Sequence, residues 1–377
     1  MSSYIFNSDL HRRYVLGLLA LVLISVSGLF GLGVYLQPLY GDLTRIGAYA
    51  EKDFGWNKPQ LEFLQPMYKM GKYDRYYDVV VLGDSFSTRR PRLNWQNYLV
   101  AATGWSVVTL DINKIQLKQV LGNRIFRETP PNIFILETVE RELPRRLADE
   151  KPCDVTALLK PVDIKTSRLA PVHVKKLQDI AKHVERATAW NNIKLGFVLD
   201  YLWKGLLRTL FGDAHTDAAK VEFDRQAPFS SSIKQSMLVY KDDFRKVSWW
   251  REMGVPQISC RIERMRESVE ANGHTRFVLM AAPDKLTAYA AFVRDKDLRN
   301  ISALSELSGY SYLPEVMPRV DLALISAIHA GKEDVYQPDD THWGSNGYQL
   351  AAESLFAFLR QPPYPSPKLP TKTRQLQ

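Results

Sequence analysis

VVVLGDSFS, residues 79–87, decides the fold. Four apolar residues, Val79 to Leu82, run without a polar break into Gly83-Asp84-Ser85. A short uninterrupted apolar run is the pattern of a strand covered on both faces, as in a parallel sheet. Gly83 lets the backbone turn sharply. Ser85 is then presented at the carboxyl end of the strand, the side on which open α/β sheets bind ligands. A serine there is a nucleophile only where a base is near. Alone, it reads equally well as a turn residue that caps the next helix.

The flanking pattern extends the sheet. NWQNYLVAATG (94–104) predicts a helix stopped by Gly104, and WSVVTLDI (105–112) a second strand. LKQVLGNRIFRE (117–128) predicts a second helix, broken by Pro130-Pro131, and NIFILETV (132–139) a third strand. Strands alternating with helices at this spacing imply right-handed crossovers and a parallel sheet. From 151 to 250 the pattern loosens, which marks an insertion. Within it, IKLGFVLDYLWKGLLRTLFG (193–212) predicts an amphipathic helix: a packing helix, a lid, a docking surface or a membrane-facing element. PFSSSIKQSMLVYKDDFRKVSWW (228–250) reads as loop and short elements. The alternation then resumes. QISCRIERMRESVEANG (257–273) is a helix ended by Gly273, and TRFVLMAAPDK (275–285) is a strand running into a Pro-Asp turn. Residues 302–330 give a helix, a short strand near Tyr310–Leu313 and another helix. The last helix is capped near Ser345 or Asn346. The Pro-rich polar tail, 363–377, is expected to be disordered. The domain therefore falls into two halves, 76–150 and 251–362, with 37–75 as a stalk and lead-in.

The 377 residues, 45% hydrophobic and 24% charged, suffice for a full globular core. The net charge of +9 comes without a Lys/Arg stripe interleaved with aromatics, so nucleic acid is not the expected partner. His11-Arg12-Arg13 precede an uncharged stretch, residues 14–36, and a helix needs about 20 apolar residues to span a bilayer. Signal-peptide apolar regions are shorter, about 7–15 residues, so an uncleaved anchor is expected. The basic residues place 1–13 in the cytoplasm and the remainder outside. The two cysteines, Cys153 and Cys260, are compatible with a disulfide or with two free thiols, and lack the spacing of a zinc site.

A second constellation gives Ser85 its chemistry. Asp339-Asp340-Thr341-His342-Trp343 lies in a loop just before the last helix. A carboxylate two or three residues before a histidine can turn back onto Nδ1, leaving Nε2 free to take a proton from a serine. Both Asp339 and Asp340 have a usable spacing.

GDSFS and DDTHWGSNGY resemble the SGNH, or GDSL-type, hydrolase superfamily. The N-terminal anchor, PNIFILETVER, APDKLTAY, VYQPDDTHW and the GYQLAAE helix resemble, more narrowly, the AlgJ/AlgX group of alginate O-acetyltransferases. The resemblance covers roughly residues 75–150 and 255–360. It implies a flavodoxin-like three-layer sandwich around a parallel sheet, with the anchor and a mainly helical insertion added. It also implies that Ser85 carries an acetyl group, His342 acts as base and then acid, and Asp340, at the two-residue spacing of that group, orients His342. In the alginate enzymes the Asp-His motif precedes the serine; here the serine comes first, as in ordinary SGNH hydrolases.

Oxyanion and substrate candidates are the Ser85 N–H, Asn113 after the second strand, Arg141 after the third, and Trp343 beside the histidine. Arg141 could bind substrate, orient the site or merely pair with Glu140, the structural role being the expected one; Trp343 is also readable as a core aromatic and Asn113 as a turn residue. The expected activity is O-acetylation of a cell-surface or secreted polysaccharide by a single-pass protein of the cytoplasmic membrane, its catalytic domain in the periplasm. Because acetyl-CoA is cytoplasmic, a multi-pass O-acyltransferase would supply the acetyl group. No cofactor or metal is required. An esterase using the same residues, or a non-catalytic polysaccharide-binding scaffold, are the competing readings.

Overall fold

A computed structural model of the protein describes residues 8–37, 41–148, 153, 174–186, 193–310 and 312–361. Helix α1 spans Ser8–Leu36, and its Asp9–Leu36 portion is long and apolar enough to cross a membrane, a test that a signal sequence also passes. Helix α2 (Asp42–Gly47) and strands β1 (Gln60–Phe63) and β2 (Lys69–Met70) follow. The α/β core then begins with strand β3 (Val79–Gly83), helix α3 (Ser85–Thr88), helix α4 (Trp95–Thr103) and strand β4 (Val107–Asp111). Strand β5 (Ile133–Val139), strand β6 (Ala181–Val184), helix α5 (Leu195–Phe211) and strands β7 (Ala218–Glu222) and β8 (Ser236–Tyr240) come next. Helix α6 (Val255–Glu270), strand β9 (Arg276–Ala282) and helix α7 (Ser345–Arg360) complete the chain.

Five strands form one parallel sheet in the order β2-β4-β3-β5-β9. Val81 of β3 sits opposite Thr109 of β4 and Ile135 of β5. Side chains alternate between faces along a strand, and the core divides accordingly. Val79 and Val81 pack with Trp95, Leu99, Tyr348 and Leu355 on one face. Val80 and Leu82 pack with Ile258, Ile262 and Val269 on the other. The sheet is therefore the middle of three layers, and burying each such side chain contributes about 1.5–3 kcal/mol.

The strand order fixes where a site can lie. From β3 the chain moves to β4 on one side and then crosses to β5 on the other. The crossovers diverge at that point, leaving a crevice outside the carboxyl ends of β3 and β5. Ser85 follows β3 directly.

Several expectations are corrected. The segment 37–75 is not a free stalk in its described part: β2 extends the main sheet and β1 pairs antiparallel with β6. The described part of the insertion is helical in α5, Leu177–Ile180 and Asp242–Met253, but it also supplies β6 and the antiparallel pair β7–β8, which the sequence reading does not anticipate. Leu43 and Phe54 share a small core with Ala218 and Leu238, so lead-in and insertion fold together. The stretch 117–128 is two short helices, Leu117–Leu121 and Arg124–Glu128: Gly122 closes the first, and Asn123 caps the second by accepting the Ile125 N–H (2.8 Å). Residues Asp242–Met253 form a 12-residue helix where short elements were expected. No strand occurs among the described residues near Tyr310–Leu313; the helix Leu313–Val316 begins there. Cys153 and Cys260 are joined in a disulfide that ties the insertion to α6. The tail call lies outside the described residues.

Candidate functional site

Ser85 opens helix α3. Asp84 caps that helix: its Oδ1 accepts the Phe86 N–H (3.0 Å), and its Oδ2 reaches across to the Val139 N–H at the end of β5 (2.8 Å). The turn is thus fastened to both walls of the crevice. Gly83 is needed for proximity rather than for an unusual dihedral. A Cβ there would lie 2.7 Å from the Ser87 side chain and 2.8 Å from Glu137 Oε2. Glu137 accepts from the Asp84 N–H (3.0 Å) and from Ser87 Oγ (2.7 Å). Burial, with Asp84 adding to it, pushes the Glu137 carboxyl well up.

His342 arrives from the loop before α7. Its Nε2 lies 2.8 Å from Ser85 Oγ, and its Nδ1 lies 2.7 Å from Asp340 Oδ1. Oδ1 also accepts the His342 backbone N–H (3.1 Å). Arg90 Nη2 donates to Oδ2 (2.7 Å), and the Asp42 N–H approaches the same oxygen (3.5 Å). Burial alone would raise the Asp340 carboxyl, but the Arg90 guanidinium and His342 outweigh it and hold the group well below the usual carboxylate range. An ionised Asp340 accepts the Nδ1 proton, and this tautomer leaves the Nε2 lone pair facing the Ser85 hydroxyl. Ser85 is partly exposed, whereas His342 and Asp340 are buried. The nucleophile therefore faces solvent while its base and the orienting carboxylate are shielded.

The loop is held rigidly. Lys285 Nζ donates to the carbonyls of Gln337 (2.9 Å), Pro338 (2.8 Å) and Asp340 (3.1 Å). Burial pulls this ammonium down to about 8 against the neighbouring Asp339 and Asp340 carboxylates. Tyr336 and Trp343 close the loop through a β-bridge, with the Gln337 N–H donating to the His342 carbonyl (3.0 Å).

The remaining candidates are placed as follows. Asp339 makes no hydrogen bond to His342. Its carbonyl accepts the Leu43 (3.0 Å) and Thr44 (3.4 Å) amides at the start of α2, and burial beside Glu51 pushes its carboxyl well up. Asn113 sits in an exposed turn, donating to Asp111 Oδ1 (3.1 Å) and accepting from Arg146 (2.6 Å), and does not join the cluster. Arg141 does not pair with Glu140. It is buried against Asp284 (2.5 Å) and Asp243 (3.2 Å), in an ionic cluster that includes Lys246 and Glu140. Trp343 is fully buried, packed edge-on against Phe86 (4.9 Å) and Tyr348 (5.5 Å), so it is a core aromatic with no face for a sugar ring.

Arg90, Lys285 and Asp42 were not singled out from the sequence. Only Lys285, inside APDKLTAY, lay in a passage already set apart. Asp42, Asp340 and His342 bring ligand atoms within 4.8 Å of one another, the one grouping of metal-ligand type among the described residues. Arg89 and Arg90 already neutralise those two carboxylates, which disfavours a further cation. No family model, characterised protein or solved structure matches the chain, so the chemistry rests on this geometry.

Proposed function

We propose that the protein is a serine-dependent O-acyltransferase of the SGNH type, anchored in the cytoplasmic membrane by α1, that moves an acetyl group onto hydroxyls of an extracytoplasmic polysaccharide. The observation that carries this reading is the Ser85–His342–Asp340 relay at the crevice between β3 and β5. The resemblance to the alginate O-acetyltransferases supports transfer over hydrolysis. The Cys153–Cys260 disulfide supports an oxidising compartment for the domain.

In the first half-reaction Ser85 Oγ attacks the acetyl carbonyl of the donor while His342 Nε2 takes the hydroxyl proton. The Ser85 N–H is a first-turn amide of α3 with no intrahelical acceptor, so it is available to the developing oxyanion. Collapse breaks the bond from the acyl carbon to the donor, and the imidazolium returns its proton to the leaving group. In the second half-reaction His342 takes the proton of a sugar hydroxyl, which attacks the acyl-serine. The C–O bond to Ser85 breaks, and the proton passes back to Oγ. Asp340, ionised throughout, stabilises the imidazolium in both halves. A multi-pass membrane O-acyltransferase is the expected acetyl source.

The test is incubation of the protein with p-nitrophenyl acetate and a panel of deacetylated oligosaccharides, following phenolate release and mass gain on the sugar. Acetylated sugar that disappears in Ser85→Ala and His342→Ala is the expected result. Phenolate release with no sugar modified would make the protein an esterase. Activity equal to that of the two variants would make it a scaffold.

A further inference from the structure

Helix α5 carries an apolar stripe that the fold leaves uncovered. Leu195, Leu199, Leu202, Trp203, Leu206 and Leu210 recur at helical spacing on one side and are all exposed, Trp203 by 60% and Leu210 by 63%. Val198 is the helix's one buried residue. The opposite side is fastened to the protein through Lys204 and Arg208. Lys204 Nζ reaches the Ile46 carbonyl (3.5 Å), Arg208 Nη1 donates to the Ala48 carbonyl (3.2 Å), and the Arg208 guanidinium lies 4.0 Å from the Tyr49 ring centroid. The stripe therefore faces outward because its polar back is fastened. A contiguous exposed patch of this kind marks a contact surface.

The position of the helix indicates what covers it. Its amino-terminal end packs on α1 at Gly33: a Cβ at that glycine would lie 2.6 Å from Ile193 Cγ2 and 3.2 Å from Val198 Cγ2. Gly33 stands within the last turn of the membrane-length helix, which ends at Leu36. The uncharged residues 14–36 of α1 extend about 35 Å, beyond a hydrocarbon core of ~30 Å, so the last turn of a spanning α1 reaches the headgroup layer. A helix fixed beside that turn, with leucines and a tryptophan on its outer side, is at the depth and of the composition of an interfacial helix.

We propose that α5 lies in the outer face of the same bilayer, its leucine stripe and Trp203 in the boundary between headgroups and acyl chains, so that the domain rests on the membrane at two points. This rests on the reading of α1 as an uncleaved anchor. The full chain would be reconstituted into phosphatidylcholine vesicles containing brominated acyl chains and into unbrominated ones. Vesicle flotation and tryptophan fluorescence would be read for the wild type, Trp203→Phe and Leu199→Glu/Leu206→Glu. The expected result is flotation of all three, with a bromine-quenched emission component in the wild type that both variants lose. Flotation with equal quenching in wild type and Trp203→Phe overturns the α5 proposal and leaves the anchor intact. A full chain that does not float overturns the anchor reading, and this inference with it. A Trp203 component shielded from both bromolipid and aqueous acrylamide, in a chain that sediments as a dimer, overturns the lipid assignment in favour of a second copy.

Discussion

Replacing Arg90 by methionine removes the guanidinium from Asp340 Oδ2 while preserving much of the side chain's length and packing. Asp340 is fully buried, Arg90 is about one-fifth exposed, and they meet at 2.7 Å. Breaking a buried pair by removing one partner costs about 3–5 kcal/mol. The lower end applies here, because His342 still engages Oδ1 and Arg90 is partly solvated. For a chain of this size about 3 kcal/mol corresponds to a fall in Tm of roughly 6 °C. The pH dependence discriminates a charge effect from a packing effect. In the wild type the folded carboxyl lies below its unfolded value, so its contribution to stability is present above about pH 4 and is lost as pH falls through the folded value. Without Arg90, burial is opposed by His342 alone, so the folded carboxyl rises and its charged form contributes less stability at neutral pH. The gap in Tm between wild type and variant is therefore widest near pH 7 and closes as pH falls through 4. Thermal unfolding of both proteins from pH 7 to pH 3 measures it. A gap that stays constant or widens on acidification would refute the assignment of Arg90 as the charge partner of Asp340.

The relay predicts non-additive losses: Ser85→Ala and His342→Ala each lower acyl transfer by at least ~10⁴-fold, and the double variant, assayed by steady-state turnover, is no worse than either. Asp340→Asn lowers kcat by about 10⁴-fold by fixing the wrong imidazole tautomer, whereas Asp339→Asn retains turnover in the same assay. Gly41→Ala would place a Cβ 2.0 Å from the Asp339 carbonyl, so a stability loss of about 1–3 kcal/mol and a displaced His342 loop are expected in denaturant titrations and turnover. Reducing the Cys153–Cys260 bridge, which closes a separation of 107 residues, lowers stability by about 4.7 kcal/mol on the chain-entropy account, read as a shift in denaturation midpoint with and without reductant.

The central sheet was legible because its strands are buried on both faces. Continuous runs such as VVVLG and IFILETV have no other easy reading, and β3 and β5 fall within a residue of the expected bounds. The serine and the histidine were legible for a related reason: each stands at a boundary between periodic elements, where side chains face the ends of strands. The choice between Asp339 and Asp340 was not, because sequence gives spacing without direction. The loop turns Asp340 to His342 and Asp339 to the lead-in. Lys285 and Arg90 act through contacts 52 to 250 residues distant along the chain, which no local pattern encodes. Strand β2 has only two residues and exposed side chains, so it offers neither length nor hydrophobicity to a reader of the sequence.

The lead-in does more than connect. Asp42 approaches the far oxygen of Asp340, and its carboxylate pairs with Arg89 only four residues past the serine. Between Leu36, where the membrane-length helix ends, and Asp42 lie only residues 37–41, a strap that reaches at most ~20 Å when fully drawn out. Were α1 to serve as the anchor proposed above, a serine on so short a leash could not range far into the surrounding compartment. It would work near the lipid, where a donor confined to the membrane would meet it at high effective concentration. A polymer chain would then have to come to that zone to be modified.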